Sequence, residues 1–363
     1  MTIITTDYFD ILNSNARAIY GKYHPKDWHG VESYLRSNPD WEVELFQTTP
    51  EEIDTAITAS RKLNKVLGQS PEKYFEITHT IQNAIDDYVP ACSVNELHHL
   101  ALQHLKSDGW ALLRGFDMDM TSFSAITSQL CETITFDPAR ENTNKSTQKV
   151  DAGLGPIGLH IENGNTPVCP DIVTFYSAKA AFEGSQTTIC DGRNVFEAFS
   201  DSQKARWSQR MMVTRTLPEA LWKRYLANEH PAISEPEEVT QEHILQFKAS
   251  IPDQDFTLNE DGSLEYRIKV SPVRPSSLSN GQAFANAILG PSHNYEPPIY
   301  TFDDGAVVTS EEVEELRNIA ETCTVEINWQ DGDVAVIDNT RVMHGRRAIK
   351  DQNRQLFIGM GRL

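Results

Sequence analysis

Basic residues are scarce in this chain: 32 Lys and Arg stand against 52 Asp and Glu, a formal charge of −20 over 363 residues. Gripping phosphate backbones or anionic bilayers takes clustered cations, so neither nucleic acid nor a membrane surface is expected as a partner. A local basic pocket for a small anion is compatible with that balance. Long apolar runs are missing too, and no stretch approaches the ~18 apolar residues that a membrane-spanning helix needs. The first residues, Met1 to Asp7, hold neither a basic stretch nor an apolar core, so no secretory signal is expected. The five cysteines, at positions 92, 131, 169, 190 and 323, are odd in number and form no Cys-x-x-Cys pair. Free thiols in a reducing cytoplasm are therefore expected, rather than disulfides or a thiolate metal site. Internal repeats and low-complexity tracts are absent.

What is present suits a globular enzyme: 39% hydrophobic and 23% charged residues, in a length that fits one large domain with insertions or two domains. Residues 1 to about 90 read as mostly helical, with Pro50-Glu51-Glu52 and Pro71-Glu72-Lys73 as helix starts. This extension could serve as a homodimer interface, a lid support or a partner-docking surface. Ser93 and Glu96 have the spacing of a capping box, and Leu97, Leu100, Leu102 and Leu105 follow as an amphipathic helix ending near Gly109. Trp110-Ala-Leu-Leu-Arg-Gly115 reads as a buried strand. Further strands are expected at 157–162, 171–177, 187–190, 324–328, 334–337, 342–348 and 356–361. Many short strands toward both ends of such a region suggest a double-sheet jelly roll. The middle, about 194–320, breaks the series with helix-like segments at 219–227, 239–249 and 309–322, and reads as a large helical insertion. The expected class is α+β with a mainly β core, the core domain running from 91 to 363.

Chemistry concentrates at few positions. His160 and Glu162 are two apart, and alternate residues of a strand share a face, so both side chains can reach one ion. The turn formers Asn163-Gly-Asn-Thr-Pro167 place the pair at a strand end. His344 lies far downstream, after the buried run Val334-Ala-Val-Ile337 and a turn at Asp338-Asn339. Two histidines and one carboxylate suit one face of an iron(II) ion, leaving the opposite face for a chelating co-substrate and O2. The arginines beside His344 disfavour a cationic imidazole, as a metal ligand requires. Arg354, ten residues past His344, offers a fork for a carboxylate. Each residue also has a plainer reading: a chance His-x-Glu, a hydrogen-bonded histidine, a solvated arginine. Thr187 is either an ordinary β-branched strand residue or a hydroxyl donor to the carboxylate that Arg354 binds.

The order of these features resembles the iron(II)/2-oxoglutarate dioxygenases of the taurine dioxygenase and γ-butyrobetaine hydroxylase type, including the clavaminate synthase-like branch. Three blocks carry the resemblance over about 95–363. They are the opening strand around Leu105–Phe116, the block from Gly158-Leu-His160-Ile-Glu162 to Gly184-Ser-Gln-Thr187, and the closing run from Gly332 through His344 to Arg354. Thr187 falls 27 residues after His160, which fits the family's second block. The resemblance implies a double-stranded β-helix with iron(II) on His160, Glu162 and His344. It also implies 2-oxoglutarate chelating the iron, its distal carboxylate on Arg354 and Thr187. Arg346 and Arg347 compete for that last role but stand too near His344 along the strand. Many members carry Asp at the position of Glu162, and Glu occurs in the clavaminate synthase-like branch. Asp191 reads as a turn cap and Asp338 as a turn former; Asn339 does the same or holds the closing strand.

The expected reaction is hydroxylation of an unactivated C–H of a small polar metabolite (an amino acid, amine or nucleoside-like compound), consuming O2 and releasing succinate and CO2. Desaturation, cyclisation and epoxidation are alternatives. Related halogenases replace the carboxylate with Gly or Ala, so Glu162 disfavours halogenation. More distant alternatives are a cupin-like metal enzyme or a ligand-binding sensor without 2-oxoglutarate turnover. Substrate contacts are expected from a mobile lid at about 139–155, from Asn163 and Asn165, and from Phe284 and Asn286 in the insertion, the last two also being readable as packed scaffold.

Overall fold

The computed structural model describes residues 76–78 and 94–363, apart from 115, 117, 138–139, 151–152, 167–168, 230–232, 234, 251–252 and 291–296. The expected N-terminal helices lie outside the described residues, except that 76–78 form a strand.

The described chain opens with β1 (Glu76–Thr78), α1 (Val94–Asp108), β2 (Trp110–Arg114), α2 (Met120–Leu130), β3 (Thr133–Thr135), β4 (Thr147–Lys149) and β5 (Ile157–His160). β6 (Ile172–Lys179), β7 (Thr187–Asp191), α3 (Gly192–Ala198) and α4 (Asp201–Trp207) follow. Next come β8 (Met211–Leu217), α5 (Glu219–Glu229), α6 (Gln241–Ser250), β9 (Gln254–Leu258), β10 (Leu264–Val270), β11 (Val273–Pro275), β12 (Gln282–Phe284) and β13 (Ile299–Phe302). The chain closes with α7 (Ser310–Thr322), β14 (Thr324–Ile327), β15 (Val334–Asp338), β16 (Val342–Arg346) and β17 (Gln355–Arg362).

Two sheets build the core. The larger has seven strands in the order β1-β2-β15-β6-β17-β3, with β4 also paired to β17. All its pairs are antiparallel except β1 with β2. Its central strands are apolar runs, and every residue of β2 and β15 is buried. The smaller sheet runs β14-β7-β16-β5, antiparallel throughout. The period of two along β6 connects the layers. Tyr176 stacks on Phe123 of α2, within a core that α1 and α2 share with β2 and β15. Its neighbour Phe175 points the other way and meets His344 of the smaller sheet edge-on, 5.2 Å between centroids. The space between the two sheets is therefore where His344 lies.

Between β7 and β14, the expected helical insertion is only partly helical. It carries an antiparallel sheet, β13-β8-β10-β9, and the polar segment 259–263 is the turn between β9 and β10. β10 alternates strictly, burying Leu264, Tyr266, Ile268 and Val270, a period-two pattern that belongs to a half-buried strand rather than to a helix. Helix α2 carries only a weak helical signal in its sequence. Its Ser and Thr residues favour other conformations, yet Phe123, Ile126, Thr127 and Leu130 hold helical spacing and are buried. Asp119 caps it by accepting from Ser122 N. Asp191 caps α3 and is gripped by Arg341 through Nε and Nη2, at 3.0 and 2.6 Å. Cys131, Cys169, Cys190 and Cys323 are free thiols. No helix among the described residues is long and apolar enough to cross a membrane.

Candidate metal centre

Strand pairing places the two histidines. His344 of β16 lies directly across from His160 of β5, with a register shift between His344 and Arg346. Gly345 allows that close approach, because a Cβ there would fall 2.6 Å from the Ile157 carbonyl oxygen. Behind His160, Gly158 and Gly290 bring two backbones together: a Cβ on Gly158 would sit 2.0 Å from the Leu289 oxygen. His160 Nδ1–H donates to the Gly158 carbonyl at 2.8 Å. That bond assigns the proton to Nδ1 and leaves the Nε2 lone pair for a ligand role.

Glu162 is not on the strand, as the reading of 157–162 required. β5 stops at His160, and Ile161 N donates to the Asn286 carbonyl of the insertion. The chain then turns through Asn163, whose φ of 55° is one that asparagine tolerates. Asn339 holds Glu162 beside His160 instead: its Oδ1 accepts from Glu162 N at 2.8 Å. Its Nδ2 donates to the carbonyls of Glu162 and Pro170, at 3.2 and 2.8 Å.

The three side chains converge. Glu162 Oε1 is 3.4 Å from His344 Nε2 and 3.8 Å from His160 Nε2, and the candidate ligand atoms lie within 4.8 Å of one another. Cis ligands of a six-coordinate ion with bonds near 2.1 Å stand about 3 Å apart, so small movements would close the set on a metal. Burial alone would raise the Glu162 carboxyl. The charge of Arg140 and the two histidines beside the carboxylate outweigh it and hold the group well below the usual carboxylate range. Burial, opposed by the hydrogen bond that His344 Nε2 gives to Glu162 Oε1 at 3.4 Å, pushes His344 down to about 4, so the ring is neutral at physiological pH. Its Nδ1 is buried without a hydrogen-bond partner. Two imidazoles and an ionised carboxylate form the donor set that suits iron(II) in oxygenases.

Thr187, in β7, is buried, and its Oγ1 accepts from Trp329 Nε1 at 2.9 Å. Its own proton is thereby available to another acceptor. Arg346 is its cross-strand neighbour and shares the face of His344. Its Nη2 donates to the Gly153 and Gly155 carbonyls, at 3.0 and 2.6 Å. Burial, then the charges of Arg354 and Arg140, push Arg346 down to about 10. Arg354 stands just before β17, and its Nη2 donates to the Val150 carbonyl at 3.4 Å. Arg347 points outward, paired with Glu326 and Glu321.

The expected substrate residues fall mostly into scaffold. Phe284 is fully buried, its ring edge-on to Phe199 and Trp207. Asn286 donates to the Pro272 carbonyl and accepts from Ile288 N. Asn165 donates to the Tyr300 hydroxyl and accepts from Tyr266 on its carbonyl. Asn163, partly exposed, forms the turn itself through hydrogen bonds on its carbonyl. The expected lid is built into the large sheet, since β4 pairs with β17 and Val150 N donates to the Leu356 carbonyl. Arg140 in that segment reaches Glu162, a contact that sequence spacing does not reveal.

Comparison with known proteins agrees with this chemistry. The family described as "Taurine catabolism dioxygenase TauD, TfdA family" matches residues 74–360. The dapdiamide synthesis protein DdaC of Enterobacter agglomerans is 25% identical over 288 residues, spanning 70% of this chain and 83% of that protein. Among solved structures, PvcB from Pseudomonas aeruginosa gives a TM-score of 0.48 at 14% identity, covering 75% of this chain and 83% of that one. An asparagine oxygenase solved with Fe(II), 2S,3S-3-hydroxyasparagine and succinate gives 0.47 at 15% identity, covering 78% and 82%.

Proposed function

The chain belongs to the TauD, TfdA family, as a non-haem iron(II)- and 2-oxoglutarate-dependent dioxygenase, and from that premise we propose that it hydroxylates an unactivated C–H of a small polar metabolite. The substrate class is an amino acid, amine or nucleoside-like compound, and the co-products are succinate and CO2. The observation that carries this reading is the convergence of His160, Glu162 and His344 between two sheets, beside a wall holding Thr187, Arg346 and Arg354. In this reading the two sheets are the walls of a double-stranded β-helix, 91–363 is one domain, and 194–320 is its insertion. The similarity to a dapdiamide synthesis protein supports a place in secondary metabolism. The free thiols support a cytoplasmic setting.

His160, Glu162 and His344 would hold the iron. Bound there with 2-oxoglutarate and O2, it supplies the oxidising power that breaks a C–H bond. The chain's own residues bind and orient. Arg354 and Thr187 receive the distal carboxylate of 2-oxoglutarate, the arginine as a charged fork and the threonine as a hydroxyl donor. Phe175, edge-on to His344, and Trp329, bonded to Thr187, form an aromatic wall that keeps water from the inner side. Glu162 fills the position that a halogenase would leave to chloride, which favours hydroxylation.

The test is turnover with iron(II), 2-oxoglutarate and 18O2 against amino acids, amines and nucleosides. The proposal expects a product heavier by one labelled oxygen, with one succinate formed per product. A product lighter by two hydrogens, or turnover that persists without 2-oxoglutarate, would replace it.

A further inference from the structure

We propose that Arg140 is the positioning residue of the metal-binding carboxylate, fixing which oxygen of Glu162 faces the ion. This rests on reading His160, Glu162 and His344 as the iron ligands. Arg140 Nη2 donates to Glu162 Oε1 at 3.0 Å. That oxygen is the same one that lies 3.4 Å from His344 Nε2 and 3.8 Å from His160 Nε2. A carboxylate oxygen has two lone-pair directions, so one can serve an ion while the other stays on the guanidinium. A carboxylate anchored in this way remains a single-oxygen ligand. One that swings to chelate through both oxygens would take a position that the co-substrate or O2 needs.

The presentation of Arg140 is built rather than incidental. Gln148 of β4 is buried and gathers the loop that carries the arginine. Its Oε1 accepts from Asp137 N at 2.8 Å, and its Nε2 donates to the carbonyls of Asp137 and Arg140 and to Asn142 Oδ1. Asp137 steadies the guanidinium from the far side, 3.3 Å from Arg140 Nε. β4 is paired with Phe357, Ile358 and Gly359 of β17, so the loop is tied to the strand that begins beside Arg354. Metal carboxylate and co-substrate arginine are thus referenced to one segment. The rival account makes Arg140 only a counter-ion that neutralises Glu162 until a metal displaces it. The two accounts predict opposite effects of its removal.

The experiment measures Mn2+ and Co2+ affinity without 2-oxoglutarate or O2, for the wild type and for Arg140→Ala, Arg140→Lys, Gln148→Ala and His344→Ala. Loss of a side chain that orients a metal ligand typically costs 10- to 100-fold in affinity, and about that loss is expected for Arg140→Ala. Lys keeps the charge without the planar fork, so Arg140→Lys should recover part of the loss. Gln148→Ala, which loosens the loop and leaves Arg140 in place, should fall between. The visible spectrum of the Co2+ form should change in Arg140→Ala, as the carboxylate takes up a different binding mode. Unchanged affinity and spectrum, or tighter metal binding in Arg140→Ala, would overturn the proposal, the latter in favour of the counter-ion. Should the alanine variant not fold, Arg140→Lys and Gln148→Ala still decide. Full metal binding in folded His344→Ala would instead remove the underlying assignment of the ligands.

Discussion

His344 stands directly across from His160 in the pairing of β16 with β5, their ring centroids 4.6 Å apart. Two of the three candidate ligands are therefore spaced by a hydrogen-bonded ladder. The third, Glu162, is spaced by a side chain from elsewhere, Asn339. Such a centre should be sensitive to backbone packing as well as to the ligands themselves.

The contact behind His160 is the first place to test this. A Cβ on Gly158 would meet the Leu289 oxygen at 2.0 Å, so either β5 or the backbone at Leu289 must shift. Gly158→Ala should destabilise the protein by about 1–3 kcal/mol and weaken metal binding. Denaturant unfolding and Mn2+ titration would check it; full stability would mean that the two backbones separate freely.

Asn339→Ala removes three hydrogen bonds from buried backbone around Glu162. Leaving such groups unsatisfied should cost about 2–3 kcal/mol of stability. Metal affinity should fall with it, since Asn339 bonds both the N–H and the carbonyl of Glu162 and so helps hold it beside the histidines. Chemical denaturation and metal titration on one preparation read both effects.

Acid should unfold the metal-free protein through this site. His344 is held down to about 4 by burial, whereas in the unfolded chain it titrates near 6.5. A depressed folded pKa gives stability that is full above the unfolded value and is lost as pH falls through the folded one, here from about 6.5 to about 4. Glu162, also held low, acts in the same direction at still lower pH. His344→Ala should flatten the stability profile across that window, measured by thermal unfolding against pH.

The arginines divide by face. Arg347 makes surface ion pairs with Glu326 and Glu321, so Arg347→Ala should change stability by about 1 kcal/mol or less and leave 2-oxoglutarate binding unaltered. Arg354→Ala should raise the 2-oxoglutarate requirement roughly 10- to 100-fold, the worth of a charge-assisted carboxylate contact. Isothermal titration of both variants separates the two faces.

The residues of the site were legible where chemistry and spacing coincide. His160 and Glu162 stand two positions apart, and His344 joins them through the resemblance that the surrounding blocks bear to the dioxygenase family. The means of holding them was not legible. Asn339 is 177 residues from Glu162, and Arg140 reaches Glu162 from a loop whose sequence is merely polar. Strands such as β15 declared themselves by continuous apolar residues. In the insertion β10 carries the alternation of a half-buried strand, amid segments of helical pattern, and α2 hides its apolar stripe among Ser and Thr. Phe284 and Asn286 are readable both as site residues and as scaffold, because an aromatic near an amide fits both a pocket and a packed turn. Only tertiary neighbours separate those two uses.

The most direct measurement is an anaerobic titration of the iron(II)-loaded protein with 2-oxoglutarate, following the visible metal-to-ligand charge-transfer band. The account predicts a band in the wild type, no band in His344→Ala, and a band in Arg354→Ala only at much higher 2-oxoglutarate. No band in folded, iron-loaded wild type would contradict it, as would an unaltered band in His344→Ala.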